Sequence, residues 1–239
     1  MILKSKNRIT FNFDWKSSVF FFFGFVLFTP IGTVSHEAGH YLVAQQYFKK
    51  PTLHYGYVVY GEWERQQEMN KWFTAHSDNE GNVFNEDSRK LESYRSQARR
   101  HGFYSTFGGP LQTMLFGTIG VLILYFRKKR RFKFLDWLAV FLAYFWSREV
   151  FIFLSLSLKF LINGTIAISS DEAVIAHYLE TPLLVPAAIF GCLGIMILTY
   201  VTFMKIPIRK RFTFIVSGIL GSIVGFILWL EILGPILMP

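Results

Sequence analysis

Apolar residues gather in five long runs, at about 17–48, 103–126, 135–162, 183–204 and 212–237, with charge pushed into the connections. Runs of about 20 apolar residues match the ~30 Å hydrocarbon core of a bilayer when wound as helix. The pattern therefore predicts an all-α polytopic membrane protein of about five transmembrane helices. One sizeable polar stretch, 49–102, separates helices 1 and 2. Within it, Leu53-His54-Tyr55-Gly56-Tyr57-Val58-Val59-Tyr60 is rich in β-formers and bounded by Pro51 and Gly61, which predicts a strand or short hairpin. Residues 77–82 read as a loop, and 86–100 as a charged surface helix leading into the second span. About 50 residues is small for an independent domain. The expectation is one membrane-embedded unit over 1–239, with 49–102 as a partly β insertion that caps it or docks substrate.

Charge adds an orientation. The net charge is +9, but Arg127-Lys128-Lys129-Arg130-Arg131 and Arg209-Lys210-Arg211 lie directly beside apolar runs. Such clusters mark cytoplasmic loops rather than a nucleic-acid surface. With Lys4, Lys6, Arg8 and Lys16 they predict a cytoplasmic N-terminus in a plasma (inner) membrane, with 49–102 and 163–182 outside. The first run resembles a secretory signal, but its helical pattern continues and no A-x-A-like site precedes His36, so an uncleaved span is expected. The single cysteine, Cys192, lies in an apolar run and excludes a disulfide or a Cys-based zinc site within one chain.

Candidate chemistry is concentrated at His36-Glu37-Ala38-Gly39-His40. Positions i and i+4 share a helix face, so His36 and His40 can grip one Zn²⁺ while Glu37 addresses a water beside it. At this chain's composition the string arises by accident in less than about one chain in a hundred. Ionisable residues cost about 2.5–3.5 kcal/mol each at the centre of a spanning helix, and a divalent cation gives three of them a joint partner. The bland alternative is that both histidines simply face water at the interface. Pro30, six residues earlier, is expected to kink the helix and open a wet pocket.

Thr33-Val34-Ser35-His36-Glu37-Ala38-Gly39-His40-Tyr41-Leu42-Val43-Ala44, followed by Phe107-Gly108-Gly109-Pro110-Leu111-Gln112-Thr113 at the head of the second span, resembles the site-2 protease group of M50-type intramembrane zinc metalloproteases. The resemblance covers less than about a tenth of the chain; the first passage is specific to zincins, the second weak alone. It implies a third ligand, usually an aspartate in an N-P-x-x-x-L-D-G-like segment of a later helix. That segment is absent here, which leaves Glu149, Asp171, Glu172 and His177 as candidates. Asp171 is preferred and Glu172 comes second, because Ser169-Ser170 offer a helix cap and the segment falls on the same side as the histidines. Both carboxylates would also suit a helix N-terminus without any metal. Glu149 and Arg148 lie mid-span, where charge is suspect by default. As helix neighbours about 100° apart they are not expected to pair with each other; one could orient a ligand, or both could fasten the bundle. His54, His76 and His101 are expected at the surface.

These readings converge on a zinc-dependent endopeptidase, one Zn²⁺ per chain, acting on a membrane-anchored protein within or beside the bilayer. Glu37 is its expected catalytic base, His36, His40 and Asp171 its metal ligands, and Gly108 and Gly109 its oxyanion donors. The 53–60 segment is expected to hold an extended substrate by edge pairing. The competing function is an inactive or zinc-stabilised membrane protein that binds client transmembrane segments; an intact Glu37 argues against it. A metal transporter would want polar positions across many spans, and spans four and five offer almost none.

Overall fold

A computed structural model describes residues 11–63, 65–77, 88–127 and 132–239. Five helical stretches are long and apolar enough to cross a bilayer: Trp15–Ala44, Arg89–Phe126, Phe134–Asn163, Val185–Lys205 and Ile208–Leu237. The five-span reading holds, and the differences lie in how each span begins, bends and ends.

The first span is α1 (Trp15–Ala44), started by Asp14, whose side chain accepts a hydrogen bond from the Lys16 amide at 3.2 Å. The helix continues through Pro30. Thr29 and Thr33 each donate to the carbonyl one turn back, at 2.8 and 3.0 Å. The cavity beside Pro30, about 390 Å³, is walled by Phe23, Val26, Leu27, Leu228, Trp229 and their neighbours. The wet pocket expected at Pro30 is therefore an apolar groove.

Two antiparallel ladders follow, each only two residues deep. β1 (Phe48–Lys49) pairs with β4 (Glu62–Trp63), and β2 (Thr52–Leu53) pairs with β3 (Val58–Val59). Of the strand or short hairpin expected at 53–60, the structure has the hairpin, with register Leu53 to Val58. Helix α2 (Gln66–His76), not anticipated from the pattern, packs Trp72 with Trp63 and Tyr94 in a buried aromatic cluster. The expected 77–82 loop falls almost wholly outside the described residues. His54, His76 and His101 are half-buried against aromatic rings: His54 stacks on Tyr57, His76 on Trp72 and His101 on Tyr47.

The expected surface helix and the second span are one helix, α3 (Ser88–Phe126), 39 residues long, or about 58 Å. It runs without interruption through Gly108-Gly109-Pro110, so this triplet lies mid-helix and not at a helix head. The third span is α4 (Phe134–Ala143), a 3₁₀ turn at Tyr144–Trp146, then α5 (Ser147–Asn163). Gly164, at φ 69°, ends α5 in the left-handed conformation that favours glycine. The short α6 (Asp171–Tyr178) is capped by Ser170, whose hydroxyl accepts from the Ala173 amide. Then come α7 (Val185–Tyr200), α8 (Ile208–Ile227) and α9 (Gly234–Leu237), with π-helical segments 201–205 and 228–233 after α7 and α8.

Phe21 and Phe25 of α1, Val140 and Phe141 of α4, and Phe214 of α8 form the main core. Small residues let the helices approach, as membrane packing requires. The critical place is Gly39 against Gly108, where a Cβ on either would run into the other's backbone carbonyl. The contacts also define two ends. At one, Lys210 pairs with Asp14, Thr213 Oγ1 meets Asn12 and Asp14, and Arg127 pairs with Asp136. At the other, Tyr55 reaches Met238 and Trp229, and Arg99 reaches Tyr178 and Glu180.

Candidate metal centre

His36 and His40 lie one turn apart on α1, both buried, about 12 and 6 Å of helix before its end at Ala44. A stripe on α3 faces them: Ser105, Gly109 and Thr113, spaced at i, i+4 and i+8. His40 Nδ1–H donates to the Ser105 carbonyl oxygen at 2.8 Å. A carbonyl can only accept, so the His40 lone pair is turned onto Nε2. His36 Nδ1 lies 2.8 Å from Thr113 Oγ1, and with the proton on Nδ1 its Nε2 is likewise free. Both rings are oriented through their far nitrogens, as outer partners do for histidine ligands.

The third member comes from α6. Asp171 Oδ2 lies 3.0 Å from His36 Nε2 and 3.4 Å from His40 Nε2, while the two Nε2 atoms are 3.1 Å apart. A tetrahedral site with Zn–N bonds of about 2.0–2.1 Å spaces its ligand atoms about 3.3–3.4 Å apart. The observed triangle is this size. It brings an anionic oxygen and two nitrogen lone pairs together, an arrangement that a cation relieves. Gly109 supplies the room: a Cβ added there would fall against Nε2 of both histidines. The donor set, its spacing and this cradle all fit a divalent cation.

Among the described residues, His36, His40 and Asp171 are the group that could hold a metal. Glu172 is fully buried and turned instead to Arg148, and His177 is exposed on α6. Burial would push the Asp171 carboxyl up, but its contacts with the His36 and His40 rings and the charge of Arg148 outweigh it and hold the group well below the usual carboxylate range. Asp171 therefore stays ionised. Arg148 also touches Glu149, at 3.3 Å, contrary to the expectation from helix geometry. The guanidinium is long enough to curl back while bridging to Asp171 and Glu172.

Glu37 is half-buried beside the histidines, and no hydrogen bond ties its carboxylate to another described residue. Gly108 and Gly109 are placed beside the histidines as expected, but for a different reason. Inside a continuous helix their N–H groups belong to the backbone ladder, so they contribute close approach and space instead of oxyanion donors. Ser105, Thr113 and Tyr60 escaped the sequence reading. The 105/109/113 stripe was a usable signal, since it repeats the helical spacing of the histidines. Tyr60, in the hairpin segment, has its phenol pushed up first by burial and then by the negative charges of Asp171 and Glu37, which places it in the field of the centre.

No protein-family model, curated protein or solved structure matches the chain. Its class is defined by the fold: an integral membrane protein of five apolar helices with a small β-containing insertion after the first.

Proposed function

We propose that this chain is a zinc-dependent endopeptidase that hydrolyses a peptide bond of membrane-anchored proteins within or at the edge of the bilayer. The observation that carries the reading is the convergence of His36 Nε2, His40 Nε2 and Asp171 Oδ2 within 3.0–3.4 Å of one another beside Glu37. The resemblance of residues 33–44 and 107–113 to the site-2 protease group supports the same assignment.

A Zn²⁺ held at this centre would supply Lewis acidity for the hydrolysis. His36, His40 and Asp171 would hold it, with the Ser105 carbonyl fixing the His40 tautomer and Thr113 orienting the His36 ring. Glu37, free of other bonds, takes a proton from the attacking water and passes it to the leaving amine nitrogen. As the C–N bond breaks, that proton completes the new amine and the water oxygen becomes part of the new carboxylate. Gly109 keeps the approach to the ligand atoms clear of side chain.

The basic connections, the N-terminal segment included, are assigned to the cytoplasm, which puts the centre toward the opposite face. Co-expression with a tagged membrane-anchored substrate tests the activity. Wild type is expected to cleave it, and Glu37→Gln to lower the rate by about 10²–10⁴-fold, the usual worth of a general base. Cleavage undiminished by Glu37→Gln would dismiss the proteolytic assignment.

A further inference from the structure

The 3₁₀ turn at Tyr144–Trp146 interrupts the third span just before Ser147-Arg148-Glu149. From there the Arg148 guanidinium divides its contacts. Nη2 bonds Asp171 Oδ2 at 2.7 Å. Nη1 bonds Glu172 Oε1 at 3.0 Å and Glu149 Oε1 at 3.3 Å. Both glutamates are fully buried, whereas Arg148 keeps 29% of its side chain exposed. Each glutamate has its second oxygen without a hydrogen-bond partner among the described residues, so Arg148 is the principal satisfied contact of each.

A planar guanidinium whose Nη1 is held by two buried carboxyl groups and whose Nη2 bonds a third is restrained at both ends of its fork, so Nη2 is aimed at one place. That place is the oxygen of Asp171 that faces both histidines. α6 is only eight residues long and follows a segment of irregular structure. Its first residue needs a tether if its carboxylate is to meet two imidazoles on another helix, and Arg148 is that tether.

We infer that Arg148, anchored by Glu149 and Glu172, is the positioning residue that fixes Asp171 as the third ligand of the metal centre. The inference rests on the metal-centre reading above. It replaces a plain bundle-fastening role with a specific one: the Arg148–Glu149–Glu172 cluster sets the geometry of a ligand it does not itself provide. Lysine retains the charge but has one ammonium in place of a fork, so it cannot hold both glutamates and aim a second nitrogen at Asp171.

The test uses the full chain in lipid nanodiscs, stripped of metal. Zn²⁺ affinity is measured by competition with a chromophoric chelator, coordination from the visible bands of the Co²⁺-loaded protein, and folding from the thermal midpoint. Arg148→Lys is expected to weaken Zn²⁺ binding by about 10–100-fold, as loss of an outer-shell partner does, and to alter the Co²⁺ bands. The triple variant R148M/E149Q/E172Q, which removes the guanidinium together with the two buried carboxylates that anchor it, is expected to show the same loss while staying folded. Asp171→Ala should abolish tight binding. Wild-type affinity and an unchanged Co²⁺ spectrum in either folded Arg148 variant would overturn the inference alone, if Asp171→Ala still loses the metal. A wild-type protein that binds no Zn²⁺ would overturn both this inference and the proteolytic reading.

Discussion

At the scale of single residues, the centre depends as much on a missing side chain as on those present. Gly109 faces Nε2 of His36 and His40 so closely that a methyl group would take the space between them. Gly109→Ala is therefore expected to leave the fold intact and to cut the Zn²⁺ content of purified protein from about one per chain to near zero, measured by plasma emission spectroscopy. Full occupancy in that variant would show that the cradle is not where the metal sits. The His36-Glu37-x-x-His40 set was legible in the sequence because helical spacing alone puts the two histidines on one face. Asp171 was legible more weakly, through its capping serine and its side of the membrane. Ser105, Thr113 and the role of Gly109 were not, because each depends on which face of α3 turns toward α1. That choice is settled by close packing of Gly39 on Gly108, not by local pattern.

At the scale of elements, apolar runs predicted the spans well because length and hydropathy are local properties. Helix continuity was harder to read. Gly108-Gly109-Pro110 looks like a helix start, yet α3 passes through it. In an apolar surround the helix keeps its backbone bonds rather than expose them, and neighbouring helices support a proline in mid-span. The start of α1 offers a direct test of element-level electrostatics. Asp14 caps α1 and pairs with Lys210 of α8. The hydrogen bond from Lys210 first, and that from Ser17 next, lower its carboxyl from the ordinary 3.8 to about 2. A depressed carboxylate stabilises the folded state above its unfolded pKa and loses that contribution as pH falls through the folded value. Amide protection factors in the first turn of α1 should thus hold above about pH 4 and fall between there and about pH 2. Asp14→Asn should remove that pH dependence; persistence of the step in the variant would assign it to another group.

At the scale of the whole molecule, the chain is polar in arrangement. The candidate centre, the hairpins, α6 and Met238 share one end, while Asp14, Arg127 and Lys210 share the other. We propose from the charge pattern that the second end is the cytoplasmic one. With Cys192 replaced by serine, Glu180→Cys should react with an impermeant maleimide in intact cells and Lys133→Cys only after permeabilisation. The reverse result would invert the protein in its membrane without altering the centre. Hydrolysis itself is tested most directly by following oxygen. Purified protein in nanodiscs is given a membrane-anchored substrate in H₂¹⁸O, and the product is read by mass spectrometry. The account predicts one ¹⁸O in the new C-terminal carboxylate, lost on chelation, restored by Zn²⁺ and absent with Glu37→Gln. Cleavage that survives both chelation and Glu37→Gln would contradict it.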